Sequence, residues 1–332
     1  MNVPRTITSM GRRVEGRARF LDHLDSTRGG IDERVGRHIA LHVGDDREIA
    51  AHFRGGKRLR AGTALLLYDA LDDEEGKGDM VLDLAAAVEF AHGISLMVDD
   101  ILDGDGTRRG GASVHAAKGT RCTMLEAVRL LAVPYALAAP HGPAVTSLLA
   151  SAHEEMVRGA ITELEATGAE LGRAGYERLI SMKSGGLFEL AARFGALAAG
   201  CCEEKAALAG GYGSGLGTVH QFSDDIADLR SALSAGREVS GSEGCLLRLM
   251  VKDPQERTLA VERGRLAEGT ERELETELQS HVSRAERAAR RLAGSVGKCG
   301  GRNRMEELLP ALVSAPGEIA GLMLSSGQND GA

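Results

Sequence analysis

Segment after segment of this 332-residue chain repeats apolar residues three and four positions apart, and few segments alternate with period two. That spacing places one apolar stripe along each helix and demands a helical partner for it. Residues 14 to 43 read as helix broken near Gly29-Gly30, with Ile31, Val35, Ile39 and Val43 recurring every fourth position after the break. Helices are expected at 61 to 71, 80 to 103, 121 to 139, 143 to 166, 175 to 199 and 204 to 232, after which the pattern weakens. A late amphipathic helix carries Leu274, Leu278, Val282, Ala285, Ala289 and Leu292 inward. The tail after Pro316 is small and polar and is expected to fray. With seven prolines, no short repeat and no long linker, the expectation is a single all-α bundle over residues 1–332.

Composition narrows the function classes. Hydrophobic residues at 43% and charged residues at 27% exclude a disordered chain. A net charge of -8 argues against nucleic acid as the main partner, because phosphate backbones select basic faces. The five cysteines (Cys122, Cys201, Cys202, Cys245, Cys299) show no metal-type spacing and suit small core residues in a reducing compartment. No signal-type apolar core follows Met1, and no apolar run reads as long enough to span a membrane. A cytoplasmic protein without a transmembrane segment is expected.

Chemistry concentrates in GISLMVDDILDGDGTRRGG, residues 93 to 111. On a helix, Asp99, Asp100 and Asp103 share one face about a turn long. Three carboxylates beside apolar surface repel one another, and a hard divalent cation relieves them. Alone, such a cluster reads more readily as a solvated acidic helix end. HQFSDDIADL, residues 220 to 229, repeats it: Asp224, Asp225 and Asp228 stand at the same spacing in another apolar helical pattern. Two helices with matched triplets can hold metal between them, and with Arg108 and Arg109 they describe a site for a diphosphate.

Basic residues gather elsewhere too. In FRGGKRLRAG, residues 53 to 62, Gly55 and Gly56 precede a helix start and Lys57, Arg58 and Arg60 follow within four positions, an arrangement suited to an anion. His92 lies two turns before Asp99. Lys183 and Ser184 sit inside an apolar helical stretch beside Gly185-Gly186. A glycine pair there costs about 1 kcal/mol per residue, which points to a kink or a close ligand approach.

FRGGKRLR, DDILDGDGTRRG, MKSGGLFELAARFGALAAG and HQFSDDIADL, in this order and at these intervals, resemble the trans-isoprenyl diphosphate synthases closely over about residues 50 to 230. The resemblance implies an all-α bundle around an apolar pocket, a homodimer, and condensation of isopentenyl diphosphate with an allylic prenyl diphosphate assisted by magnesium (Mg2+). It implies that Asp99, Asp100, Asp103, Asp224, Asp225 and Asp228 hold the metal, directly or through water. By the same likeness Arg108, Lys183, Ser184 and Gln221 hold the allylic diphosphate, and Lys57, Arg60, His92 and Arg109 the isopentenyl diphosphate. Product length is implied to be set near position 94, about 7 to 8 Å along the helix from Asp99, by Ile94 and Ser95 with Ala91 one turn deeper. Their middling size favours a twenty-carbon product, with fifteen carbons next.

The chain also departs from that pattern. TMLEAVRLLAV replaces a usual Gly-Asp pair, Gly159-Ala160 stands where Gly-Gln is expected, and Val98 precedes the first aspartate. After the second motif Arg237 is the nearest substitute for a usual lysine. Two rival functions stay open: a class I terpene cyclase on the same fold, and a non-catalytic partner subunit of a synthase. The first is disfavoured by the scarcity of aromatic residues and the retained GGKRLR segment; the second by two complete triplets.

Overall fold

The computed structural model describes residues 19–72, 78–166, 171–295 and 304–326. The expected helix start at 14 to 18, Cys299 and the last six residues lie outside them. In chain order the helices are α1 (Phe20–His42), α2 (Arg47–Phe53), α3 (Leu59–Leu71) and α4 (Gly78–Asp103). A small antiparallel hairpin follows, β1 (Thr107–Arg108) with β2 (Gly111–Ala112). Then come α5 (Val114–Lys118), α6 (Thr120–Leu130), α7 (Ala132–Ala138), α8 (Pro143–Ala166) and α9 (Arg173–Ile180). The last are α10 (Gly186–Ala198), α11 (Glu203–Ser234), α12 (Gly241–Met250), α13 (Pro254–Arg263), α14 (Glu268–Ser295) and α15 (Met305–Ser326). The all-α expectation holds.

Several local expectations do not, and the single helices expected over 121 to 139 and 175 to 199 are each interrupted, near Leu131 and at Ser181–Gly185. α1 runs unbroken through Gly29-Gly30. Leu24, Ile31, Val35 and Ile39 are buried along its inner face, and that burial outweighs the helix cost of two glycines. The chain also does not fray at Pro316: α15 continues to Ser326 with Pro310 and Pro316 inside it. Leu312, Ala315 and Ile319 are completely buried on that helix and hold its second half in place. Nor is the chain without long apolar helices. Residues 78–103, 120–141 and 305–325 are each long and apolar enough, by length and composition, to cross a membrane. In α4, 72% of that apolar window is buried inside the protein.

α4 packs on α3, α7 and α10, while α11 packs on α10, α14 and α15. A second core cluster around Tyr176, Phe222, Ile226, Leu229 and Leu246 underlies the second aspartate triplet. Between α9 and α10 the helix widens into a π turn, Ser181–Gly185, the distortion that the Gly185-Gly186 pair had suggested. π turns of this kind collect at functional sites. α11 rides directly on it: a Cβ on Gly217 would lie 2.7 Å from the carbonyl oxygen of Ser184 and 2.6 Å from Cα of Gly185. Those are backbone atoms and cannot swing aside. Gly217→Val is therefore expected to cost about 2–3 kcal/mol, measured by urea denaturation; an unchanged midpoint would contradict this contact.

Candidate active site

The first triplet ends α4. Gly104 takes a left-handed conformation (φ 73) that stops the helix, and the β1–β2 hairpin brings Arg108 and Arg109 back beside it. The triplet is not uniform. Asp100 is wholly buried, and its Oδ1 accepts from Nε of Arg108 at 2.8 Å and also from its Nη2. Its Oδ2 is buried without a partner. Asp99 and Asp103 have no hydrogen bond or ion pair among the described residues. Burial raises Asp99 to about 6, with Lys183 opposing and Asp103 adding to the rise.

The second triplet divides in the same way. Asp225 is 1% exposed and accepts from the Tyr176 hydroxyl (2.6 Å), Nε2 of Gln221 (2.8 Å) and the Ser242 hydroxyl (2.7 Å). These donors come from α9, α11 and α12, so Asp225 pins three elements together. Asp224, next to it, has no such donor among the described residues. Burial, then Asp228 and Asp225, lift it to about 7. Asp228 lies at the exposed outer end.

Lys183, on the π turn, links the two sides. Its charge reaches Asp99 and Asp103 on α4 and Asp224 on α11. Its ammonium sits on Glu163 of α8, 2.6 Å from Oε2. Burial works to lower its pKa, but Glu163 outweighs this and holds it above its ordinary value. Ser184 donates to Oε1 of Gln221 at 2.7 Å, and Gln221 passes the chain on to Asp225.

A cavity of about 880 Å³ is bordered by Lys57, Arg60, His92, Arg108, Arg109 and His220, with Gly55 and Gly56 also lining it. Arg58 also borders it but is already neutralised, bonded to Glu89 (2.9 Å), Asp32 (2.9 Å) and the carbonyl of Phe53 (3.0 Å). Arg60 differs. Its guanidinium lies over the Phe188 ring (4.9 Å) and reaches Nε2 of His92 (3.2 Å), while its Nε is buried without a partner. Burial draws it down to about 10. A buried cation short of a carboxylate is costly, and an anion entering the cavity would offset that cost.

The structure thus brings Lys57, Arg60, His92, Arg108 and Arg109 to one cavity and sets Lys183, Ser184 and Gln221 between it and the triplets. Ala91 and Ile94 are buried in the main core and Ser95 returns its hydroxyl to the carbonyl of His92; none of the three borders the cavity. Arg237, just past the end of α11, donates to the Ser231 hydroxyl, 3.2 Å away. Four residues escaped the sequence reading: Glu163, Tyr176, Ser242 and His220. Only His220 carried a usable signal, standing one turn before Asp224. Glu243 joins them, raised by burial to about 7.

The donor chemistry fits a hard divalent cation. Asp99, Asp103 and Asp224 are carboxylates with no hydrogen bond or ion pair among the described residues, and Oδ2 of Asp100 is buried without a partner. They do not form a finished cage. The one trio of donors within 4.8 Å among the described residues is Glu177, Glu277 and His281. Arg173 pairs with Glu277 at 2.5 Å and Arg284 approaches Glu177 at 4.0 Å, so that trio is already neutralised. At the triplets a cation would take one or two protein oxygens and draw the rest from water and a bound phosphate, the usual habit of magnesium.

Comparison with known proteins bears on the family and the fold. A geranylfarnesyl diphosphate synthase of Methanosarcina mazei is 32% identical over 174 residues, 52% of this chain and 58% of that protein. A short chain isoprenyl diphosphate synthase of Methanocaldococcus jannaschii is 31% identical over 209 residues, 60% and 63% of the two chains. The matched region is therefore a little over half the length of these relatives. The fold matches more widely: a geranylgeranyl pyrophosphate synthase of Lactobacillus brevis superposes with a TM-score of 0.70 at 17% identity, covering 90% of this chain and 97% of that one. A polyprenyl synthetase of Streptomyces coelicolor gives 0.68 at 21% identity, covering 88% and 98%. The family described as Polyprenyl synthetase matches residues 47–240, and this chain belongs to it.

Proposed function

We propose that the protein is a magnesium-dependent trans-prenyltransferase that condenses isopentenyl diphosphate with an allylic prenyl diphosphate and releases geranylgeranyl diphosphate. The observation that carries this reading is the buried guanidinium of Arg60, with no carboxylate bonded to it and its Nε without a partner, at a cation-lined cavity, together with Asp99, Asp103 and Asp224, which have no hydrogen-bond donor among the described residues. The first calls for an anion and the second for a cation, and a metal-bound diphosphate beside a second diphosphate meets both demands. Lys57, Arg60, His92 and Arg109 hold the isopentenyl diphosphate. Lys183 exchanges Glu163 for oxygens of the allylic diphosphate, with Arg108, Ser184 and Gln221 beside it. Magnesium held by Asp99, Asp103 and Asp224 supplies charge neutralisation of the leaving diphosphate. Asp100 and Asp225, already hydrogen-bonded, orient the helix ends that present those ligands.

The test is to incubate the purified chain and magnesium with each allylic diphosphate, with and without isopentenyl diphosphate, and to measure diphosphate release. Release that depends on isopentenyl diphosphate is expected. Release from the allylic substrate alone would favour the cyclase, and no release at all a non-catalytic subunit. The basic cavity weighs against the cyclase, which has one diphosphate to place.

Product length gives a separate expectation. If the growing chain runs along α4 past Asp99, Ile94→Phe shortens the product and Ile94→Ala lengthens it, as read by product chain-length analysis. An unchanged distribution in both variants would put the pocket floor elsewhere.

A homodimer completes the proposal. α6 exposes Met124, Leu125 and Val128, and α8 exposes Val157, Ile161 and Leu164, each half or more accessible. An apolar groove of about 510 Å³ between α7 and α8 continues the patch. Contiguous apolar surface of this kind marks an association site, and a second copy supplies a matching face through twofold symmetry. Leu125→Glu with Ile161→Glu is expected to yield monomers in sedimentation velocity; a dimer retained by the double variant would locate the interface on another face.

A further inference from the structure

Two imidazoles border the cavity beside Arg60, and their surroundings differ. His92 receives the Arg60 guanidinium on Nε2 at 3.2 Å, which leaves its proton on Nδ1. His220 is 9% exposed and makes no hydrogen bond among the described residues. Its Nδ1 is sealed inside the protein without a partner. Its Nε2 is not sealed, and it opens on the cavity that the residue lines. The ring packs tilted against Phe188 of α10, centroids 5.5 Å apart, and the same phenyl ring carries the Arg60 guanidinium at 4.9 Å.

This enclosure selects a tautomer. Burial, then Arg60 and Lys57, hold His220 well below its ordinary pKa, so the ring is neutral and carries one N–H. A sealed N–H without an acceptor is rarer in proteins than a sealed acceptor without a donor. The proton therefore sits on Nε2, on the open side of the ring. It is a donor without an acceptor in a cavity bordered by Lys57, Arg60, Arg108 and Arg109, and a buried polar group left in that state calls for an explanation in terms of what enters.

We propose that His220 is a diphosphate-binding residue, its Nε2–H donating to an oxygen of the anion that Arg60 and Lys57 attract. The assignment rests on the reading of this cavity as the isopentenyl diphosphate site. An anion held in this way is bonded from α3 by Arg60 and from α11 by His220, on the two side chains that share the Phe188 ring. A neutral imidazole adds a directed hydrogen bond there, where one more cation would add repulsion to Arg60 and Lys57. His92 is placed differently, since the nitrogen it turns to Arg60 is an acceptor.

The test titrates inorganic diphosphate, in excess chelator, into wild type, His220→Phe, His220→Gln and His220→Asn by calorimetry, and then measures KM for isopentenyl diphosphate with magnesium. Phe keeps a flat ring against Phe188 and removes both nitrogens. Gln carries its amide nitrogen near the place of Nε2, and Asn near that of Nδ1. His220→Phe and His220→Asn are expected to weaken diphosphate binding by about 10- to 100-fold, the usual loss for one hydrogen bond to a charged group. KM for isopentenyl diphosphate rises in step, with kcat little changed, while His220→Gln stays close to wild type. If His220→Phe fails to fold, the Gln and Asn variants still separate the two nitrogens. Equal affinity in all the variants, or a loss in Gln as large as in Asn, would remove His220 from the site and leave the reading of the cavity standing. A wild type that binds no diphosphate would overturn both. If the wild type binds diphosphate but forms no prenyl product, the prenyl-transfer reading falls and the binding comparison alone decides the place of His220.

Discussion

Asp224→Asn and Asp225→Ala are expected to abolish turnover alike and to move stability in opposite directions. Asp224 is a carboxylate raised to about 7 by burial and by its two neighbouring aspartates, with no donor to compensate. The amide removes a costly charge while keeping shape, so the metal-free protein gains stability at pH 8. Turnover falls by about 10²–10³-fold or more, the usual loss when a group that stabilises transition-state charge is deleted. Asp225 is the reverse case. Truncating it leaves the Tyr176 hydroxyl, the Gln221 amide and the Ser242 hydroxyl without their shared acceptor. Each buried donor left unpaired costs about 1–3 kcal/mol, so the thermal midpoint drops by several degrees. Diphosphate release and thermal unfolding, measured on the same preparations, separate the two. A destabilised Asp224→Asn would mean that Asp224 has a partner in solution and that the division of the triplet is wrong.

That division could not be read from the chain. Spacing places Asp224, Asp225 and Asp228 on one helix face, and it does so for Asp99, Asp100 and Asp103 as well. Which members are left for a metal depends on donors that arrive from elsewhere. Arg108 comes back along a hairpin, Tyr176 from α9 and Ser242 from α12, and periodicity carries no information about such returns. Glu163 illustrates the same limit, since its role depends on α8 lying beside the π turn. What was legible followed from local rules with long reach. Helices α3, α4, α8 and α11 fall within a few residues of their expected bounds because each carries a continuous buried stripe. The departures at Gly29-Gly30 and after Pro316 share one cause, in that the helix cost of glycine, about 1 kcal/mol per residue, and a small, polar composition are local properties that carry no packing term. Burial of Ile31, Val35 and Ile39 in one case, and of Leu312, Ala315 and Ile319 in the other, supplies the missing term.

Removing magnesium is expected to stop turnover completely, and adding it is expected to stabilise the protein more at pH 8 than at pH 6. The sign follows from the raised carboxylates. Asp99 sits at about 6 and Asp224 at about 7, both lifted chiefly by burial. Over the window between the ordinary carboxylate value and about 7, the folded chain binds protons that the unfolded chain has released. Stability from these groups therefore falls as pH rises through that window. Buried His92, His220 and His281 are pushed the opposite way by desolvation, so their contribution falls as pH drops below the ordinary histidine value. The raw pH profile mixes both effects. The shift produced by magnesium does not, because a cation competes with protons for Asp99 and Asp224 and leaves the imidazoles alone. At pH 8 those carboxylates are ionised, and magnesium at about a hundred times its dissociation constant adds about 2.7 kcal/mol. At pH 6 a proton must first be displaced from Asp224, and the gain shrinks. Thermal unfolding with and without magnesium at the two pH values checks this, and Asp99→Asn with Asp224→Asn should erase the difference. Full activity in excess chelator, or a magnesium shift as large at pH 6 as at pH 8, would remove these carboxylates from the metal site.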